Sequence, residues 1–167
     1  ETLEGVCEGI HTVYHLAAVL LVEDEALFRK VNVEGTRNLL DAAARSGVSH
    51  FIHVSSASVV YPRSTPYSRS KRAAEELVRA ATAFPVTLAR PTLVYAEGGG
   101  LEFATFVGYL ERWPVVLLIG DGRARKSPVH AEDLIDGLAA IAGNPAAHGV
   151  TYNLAGGETV SIRELAE

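Results

Sequence analysis

Residues 12–18, TVYHLAA, form a near-continuous apolar run. Such a run predicts a strand buried on both faces of a parallel sheet, because a strand with one wet face alternates instead. What flanks it sets the fold class. From Asp24 to Arg45, Leu27, Phe28, Val31, Leu39 and Ala42 recur near helical spacing, and Ser46–Gly47 is a helix stop. Phe51–Ser55 reads as a second strand and Tyr67–Ala81 as a helix with Ala74, Leu77, Val78 and Ala81 inward. Val86–Ala89 is a third strand, which Arg90–Pro91 should stop. Strands alternating with crossover helices predict an α/β fold built on a doubly wound parallel sheet.

Past Pro91 the pattern loosens. Glu97–Gly100 is a loop, and Phe103, Phe106, Val107 and Leu110 mark an amphipathic helix. Val115–Ile119 is a strand, Gly120–Asp121–Gly122 a turn, and Ala131–Ala142 a helix stopped by Gly143–Asn144–Pro145. Val150–Leu154 is a short strand, and Ser161 should start a last helix. No internal repeat or low-complexity segment is present.

Composition narrows the function classes. The chain has 167 residues, 48% hydrophobic and 21% charged, which predicts a packed domain rather than disorder. A net charge of −5 gives no electrostatic reason to expect nucleic acid or an anionic membrane as partner. No apolar run approaches the length that spans a bilayer. Cys7 is the single cysteine, so no intramolecular disulfide is expected and it reads as a small buried apolar residue. No charged-then-apolar leader is visible, although a chain opening on Glu1 rather than Met suggests processing; the cytoplasm is the default expectation. His15, His53 and His130 lack a second ligand at suitable spacing, so no metal is expected.

One element is missing for a dinucleotide-binding fold, which should open with a strand, a glycine-rich turn and a helix. No G-x-G-x-x-G precedes His11, and Gly5 and Gly9 do not fit it. Gly98–Gly99–Gly100 has the spacing of an ordinary loop. Residues 120–127, GDGRARKS, have the outline of a phosphate loop, but Arg125 stands where the second glycine must let backbone amides close around phosphate.

The chemistry-bearing signal is Tyr67-Ser68-Arg69-Ser70-Lys71, a Y-x-x-x-K on a predicted helix. Spacing of four puts both side chains on one face, about 5–6 Å apart at Cβ. An adjacent ammonium favours the phenolate, so such a tyrosine exchanges a proton with a carbinol or carbonyl oxygen near neutral pH. The spacing alone is common among helices. Ser55–Ser56 sharpens it, because it ends a strand at the carboxyl edge of the sheet, where open α/β folds bind ligands. A serine there can hydrogen-bond a substrate oxygen; read by itself it is a loop hydroxyl satisfying the backbone.

Six ordered blocks carry a resemblance. They are His15-Leu16-Ala17-Ala18, the helix from Asn32 to Leu40 (N-x-x-G-T-x-N-L-L), the serine strand from Val54 to Val60, Tyr67 to Lys71 with Ala74–Glu75, Arg90-Pro91-Thr92-Leu93-Val94-Tyr95, and Gly120–Gly122 through Val129–His130 and Asp133. Together they resemble the extended short-chain dehydrogenase/reductases: nucleotide-sugar epimerases and dehydratases, 3β-hydroxysteroid dehydrogenases and related reductases. The resemblance implies a Rossmann-like core over residues 1–91 that binds NAD or NADP, here without its glycine-rich turn. Residues 92–167 would mix core with a substrate-binding region that is incomplete at its C-terminal end. Tyr67 would be the acid/base, Lys71 would hold the nicotinamide ribose and tune Tyr67, and Ser56 would bond the substrate oxygen. His15, Leu16, Ala17, Ala18, Asn32, Val54, Ser55, Arg90, Pro91 and Thr92 would line the cofactor. Arg123, Arg125 and Lys126 would bind a phosphate of the substrate, or form a solvated basic loop.

The chain departs from the family in places. Its first βαβ unit is absent, as if it started late. Ser56 and Tyr67 lie only eleven positions apart, fewer than the family usually has. Lys126–Ser127 stand where many nucleotide-sugar enzymes carry Arg and Asp, and Tyr95-Ala96-Glu97 replaces Y-G-P. The reading is an NAD(P)-dependent oxidoreductase or epimerase/dehydratase acting on a small-molecule secondary alcohol or ketone, steroid-like or nucleotide-sugar, with a homodimer compatible with it. Two alternatives stand beside it. One is a non-catalytic nucleotide-binding or assembly subunit on the same fold, of the type associated with respiratory complex I. The other is a fragment unable to hold pyrophosphate.

Overall fold

The computed structural model describes residues 3–97, 101–113 and 121–166. The expected strand at Val115–Ile119, the Gly98–Gly100 loop and Gly120 of the expected turn lie outside these residues. The chain divides into two compact units, Glu1–Arg90 with Leu138–Asn153, and Pro91–Gly137 with Leu154–Glu167.

The sheet that carries the first unit has the order β1-β2-β3-β7, with β1 Thr12–His15, β2 His50–Val54, β3 Val86–Pro91 and β7 Thr151–Leu154. β1 and β3 both run parallel to β2, pairing His15 with His53 and Val54 with Ala89. The first strand is shorter than its apolar run implied, for residues 16–20 leave the sheet. β3 is longer: it runs through Pro91, which lacks an N–H but sits in the strand's last position, where no further ladder bond is needed from it.

Helical structure between β1 and β2 changes type along its length: α1 Glu25–Leu27, a π-helical stretch Phe28–Glu34, then α2 Gly35–Arg45. The sequence pattern predicted one α-helix there. Gly47, at φ 69°, turns the chain after α2, a conformation glycine adopts without a Cβ penalty. α3 spans Pro66–Ala80. The core of this unit gathers Leu40, Ala42 and Ala43 of α2, Phe51 of β2, Val78 of α3, Leu88 of β3, and Cys7, Val48 and Phe84. Phe51 and Phe84 stack at 5.7 Å. Leu77 and Ala81 of the expected stripe pack against this cluster from its rim.

The second unit is built from short pairings. β4 Val94–Tyr95 runs parallel to β6 Val129–His130, and β5 Arg125–Lys126 pairs antiparallel with β8 Val160–Ser161. Helices α4 Leu101–Arg112 and α6 Ile162–Ala166 belong to it, and α5 Ala131–Ile141 crosses the unit boundary at Gly137. Ser161 ends β8 and, as expected, also opens the last helix: its Oγ accepts from Glu164 N–H at 3.1 Å while Glu164 Oε2 accepts from Ser161 N–H at 2.7 Å.

Gly156 is the tightest point of this unit. A Cβ placed there would lie 1.9 Å from the carbonyl oxygen of Pro128, a backbone atom that no rotamer change moves. Gly156→Ala should destabilise the unit by about 1–3 kcal/mol. A thermal melt of that variant overlaying wild type would contradict the close approach.

Candidate active site

The helix that bears the tyrosine and lysine is fixed at its first turn. Thr65 Oγ1 accepts from Ser68 N–H at 3.1 Å, while Ser68 Oγ accepts from Thr65 N–H at 2.8 Å, with Pro66 at the start. This reciprocal cap satisfies two donors the helix would leave open. Tyr67, half-buried, meets the edge of Phe28 at 6.3 Å. One turn on, Lys71 is only 2% exposed, and its Nζ donates to the carbonyl oxygen of Val54 at 2.8 Å. Burial lowers the Lys71 pKa to about 8, with the Glu75 carboxylate acting in the opposite direction.

Glu75 continues the same face. It is buried, and Arg90 grips it with two hydrogen bonds, Nε to Oε1 at 2.8 Å and Nη2 to Oε2 at 2.6 Å. Arg79 adds a looser contact at 3.7 Å. Burial alone would raise the Glu75 carboxyl. Burial is the largest single influence, but the Arg90 hydrogen bonds, Ser55 and the charges of Arg90 and Arg79 together outweigh it and hold the pKa below the ordinary value. Arg90, whose motif suggested a place beside the cofactor, thus has a guanidinium engaged by Glu75.

At the end of β2 the two serines part company. Ser55 is buried and turned inward toward Glu75, short of full hydrogen-bond geometry. Ser56 is half-buried and caps a 3-10 turn, Ala57–Val60: its Oγ accepts from Ser58 N–H at 3.2 Å and lies 2.9 Å from Ser58 Oγ. Ser56 therefore has the backbone-capping role, and either its hydroxyl or that of Ser58 donates across their 2.9 Å contact.

Asn32 sits in the π-helical stretch, where its side chain is fully engaged across elements rather than within its own helix. Oδ1 accepts from Val19 N–H at 2.8 Å, and Nδ2 donates to Val19 O at 3.0 Å and to Ser70 Oγ at 2.9 Å. Ser70 in turn donates to Tyr67 O at 2.8 Å. The loop after β1 is thereby tied to the Tyr67 helix. Within that loop Leu16, Ala17 and Ala18 are exposed.

Below them lie buried imidazoles. Thr36 gives its hydroxyl proton to Asn32 O at 2.7 Å, so it accepts from His15 Nε2 at 2.8 Å. His53 is fully buried 5.2 Å from His15, and neither of its ring nitrogens has a hydrogen-bond partner among the described residues. Burial, reinforced by Lys71, lowers His15 to about 4; burial, Lys71 and His15 lower His53 to about 2.

The remaining expected site residues lie in the second unit. Thr92 donates its hydroxyl to Ser127 O and its N–H to Leu154 O. Arg123 pairs with Asp121 at 3.5 Å, both well exposed, and Arg125 donates to Thr159 O at 2.6 Å. His130 lies 3.9 Å from Glu132, and among the described residues no group of three His, Cys, Asp or Glu gathers to hold a metal. No described helix is long and apolar enough to cross a membrane. Sequence reasoning gave no role to Ser70 or Glu75. Both fall within the block that runs from Tyr67 to Glu75, and Glu75 stands four residues after Lys71, but nothing in the sequence placed Arg90 against it.

Comparison with known proteins bears on this constellation. The model of the NAD dependent epimerase/dehydratase family matches residues 1–155. A dTDP-glucose 4,6-dehydratase of Streptomyces griseus is 33% identical over 96% of this chain and 55% of its own length. A 3 beta-hydroxysteroid dehydrogenase/Delta 5-->4-isomerase of Mycobacterium tuberculosis is 29% identical over 95% of this chain and 51% of its own length. A UDP-glucuronic acid 4-epimerase from Bacillus cereus, solved with UDP-glucuronic acid and NAD, superposes with a TM-score of 0.82 at 26% identity, over 96% of this chain and 58% of that one. The chain spans about half the length of the curated relatives it matches. Parallel sheet, ordered motifs and family match agree: this chain belongs to the NAD dependent epimerase/dehydratase family.

Proposed function

We propose that the chain supplies the proton-transfer machinery of an NAD-dependent epimerase or dehydratase that acts on a secondary carbinol of a nucleotide-linked sugar. The observation that carries this reading is Lys71, an ammonium buried to 2% exposure and seated on Val54 O, one turn from Tyr67. Burying a lysine this far disfavours folding unless something else selects for it, and perturbed buried groups concentrate at functional sites. The assembly-subunit alternative gives no reason to retain that arrangement.

The residues present fit the nicotinamide end of the cofactor. Ala17 and Ala18 expose small side chains at the carboxyl end of β1, and Lys71 has N–H groups beyond the one held by Val54. They do not supply the pyrophosphate turn, for no G-x-G-x-x-G occurs in the sequence. Bound NAD would supply reversible hydride transfer at the carbinol carbon. Tyr67 receives the hydroxyl proton as the C–H bond breaks, leaving a ketone, and gives it back on reduction. Lys71 stabilises the phenolate form electrostatically, and Ser56 donates to the reacting oxygen.

The sugar class is favoured over the steroid class by the dehydratase relative and by the epimerase that holds a UDP-sugar. The test is turnover of dTDP- or UDP-linked glucose with NAD by wild type and by Tyr67→Phe. A loss of at least about a hundredfold in kcat is expected when the acid/base is removed. Equal turnover would end the proposal.

A further inference from the structure

We propose that Glu75 is a positioning residue for the Tyr67–Lys71 pair, its Arg90-clamped carboxylate keeping the Lys71 ammonium charged. This rests on the acid/base reading of Tyr67 given above. The geometry begins with helical phase: Tyr67, Lys71 and Glu75 follow one another at intervals of four along α3, so they share one face. Lys71 is 2% and Glu75 3% exposed, so water screens little of the interaction between them. The carboxylate cannot swing away, because both its oxygens are fixed by Arg90 at 2.8 and 2.6 Å.

The other groups around Lys71 do not replace that charge. His53 on β2 and His15 on β1 face it as imidazoles that burial keeps neutral. Val54 O offers a dipole, not a charge. Tyr67 is the group Lys71 serves, and Arg79 and Arg90 lie on the carboxylate as cations. Glu75 is thus the anion that opposes the loss of charge that burial favours at Lys71. A residue whose work was only to seal a buried ion pair with Arg90 would stabilise the fold and leave Lys71 unaffected.

The two roles separate by direct titration, without cofactor or substrate. The sequence has lysines only at positions 30, 71 and 126, so the Cε resonance of Lys71 in lysine-labelled protein is assignable by its absence in Lys71→Met. In wild type it should titrate near 8. In Glu75→Gln it should titrate lower by about one unit, the size expected for removal of a close opposite charge. Glu75→Asp should restore most of the difference. If Glu75→Gln is too unstable, Glu75→Gln/Arg90→Gln strands neither charge, and its Lys71 midpoint should still fall below that of wild type, by less than in Glu75→Gln because a cation leaves with the carboxylate. An unchanged Lys71 midpoint in either folded variant overturns the proposal. The titration requires no turnover, so it stands apart from the Tyr67→Phe test: full activity in Tyr67→Phe sinks the acid/base reading, whereas a fixed Lys71 midpoint sinks the role of Glu75.

Discussion

Arg90→Met is expected to lower the stability of the chain by about 3–5 kcal/mol, the range for removing one partner of a buried ion pair. The carboxylate of Glu75, 4% exposed at its side chain, would lose two charge-assisted hydrogen bonds and keep only the 3.7 Å contact to Arg79. Most of the loss comes from the stranded charge rather than from the missing attraction. The paired variant Glu75→Leu/Arg90→Met should therefore recover much of it, since it leaves neither member of the Glu75–Arg90 pair stranded. Urea denaturation followed by circular dichroism measures all three proteins. If the single variant proved as stable as the paired one, the pair would not be buried as described.

Acid should begin to destabilise the protein as pH falls through 6.5, before its carboxylates titrate. His15 titrates at about 4 and His53 at about 2 in the folded chain, against 6.5 in the unfolded one. Their folded values are depressed, so the unfolded state binds more protons below 6.5. The stability they contribute is present above that pH and is lost as pH falls toward 4 for His15 and further for His53. Each imidazole accounts for about 1.4 kcal/mol per pH unit once the unfolded form is charged, so roughly 5 kcal/mol is lost by pH 4.5. Burial and the neighbouring His148 lower His50 as well, in the same direction. Denaturation midpoints at pH 7.5, 6.0 and 5.0 read the slope, and His53→Leu should reduce it by about half. A midpoint that stayed level across those three values would mean that the imidazoles do not stay neutral.

The sheet was legible because its strands are written locally, as apolar runs closed by Gly, Ser or Pro, and β2 and α3 fall within a residue of their expected bounds. Pro91 misled, because a proline ends a strand only where its missing N–H is needed, and that depends on the neighbouring strand. At the site, the Tyr67–Lys71 spacing is a property of one helix and reads directly from sequence. The clamp on Glu75 joins residues 15 positions apart, and Asn32 reaches Val19 and Ser70 across 13 and 38. Such partnerships are decided by how strands and helices come together, so no local pattern encodes them.

The π-helical stretch Phe28–Glu34 has a consequence for how this helix serves its surroundings. Hydrogen bonds that span five residues, such as Gly35 N–H to Lys30 O, fit more residues into a turn than an α-helix does. Side chains beyond the stretch are therefore rotated relative to those within it. Phe28 and Asn32 point to the Tyr67 helix, while Leu40, Ala42 and Ala43 enter the core cluster. One continuous rod thus addresses two neighbours at different angles, which a single period cannot do. The residue count of this segment carries information apart from its composition: losing one position would swing Asn32 off Val19 even with every side chain chemically intact.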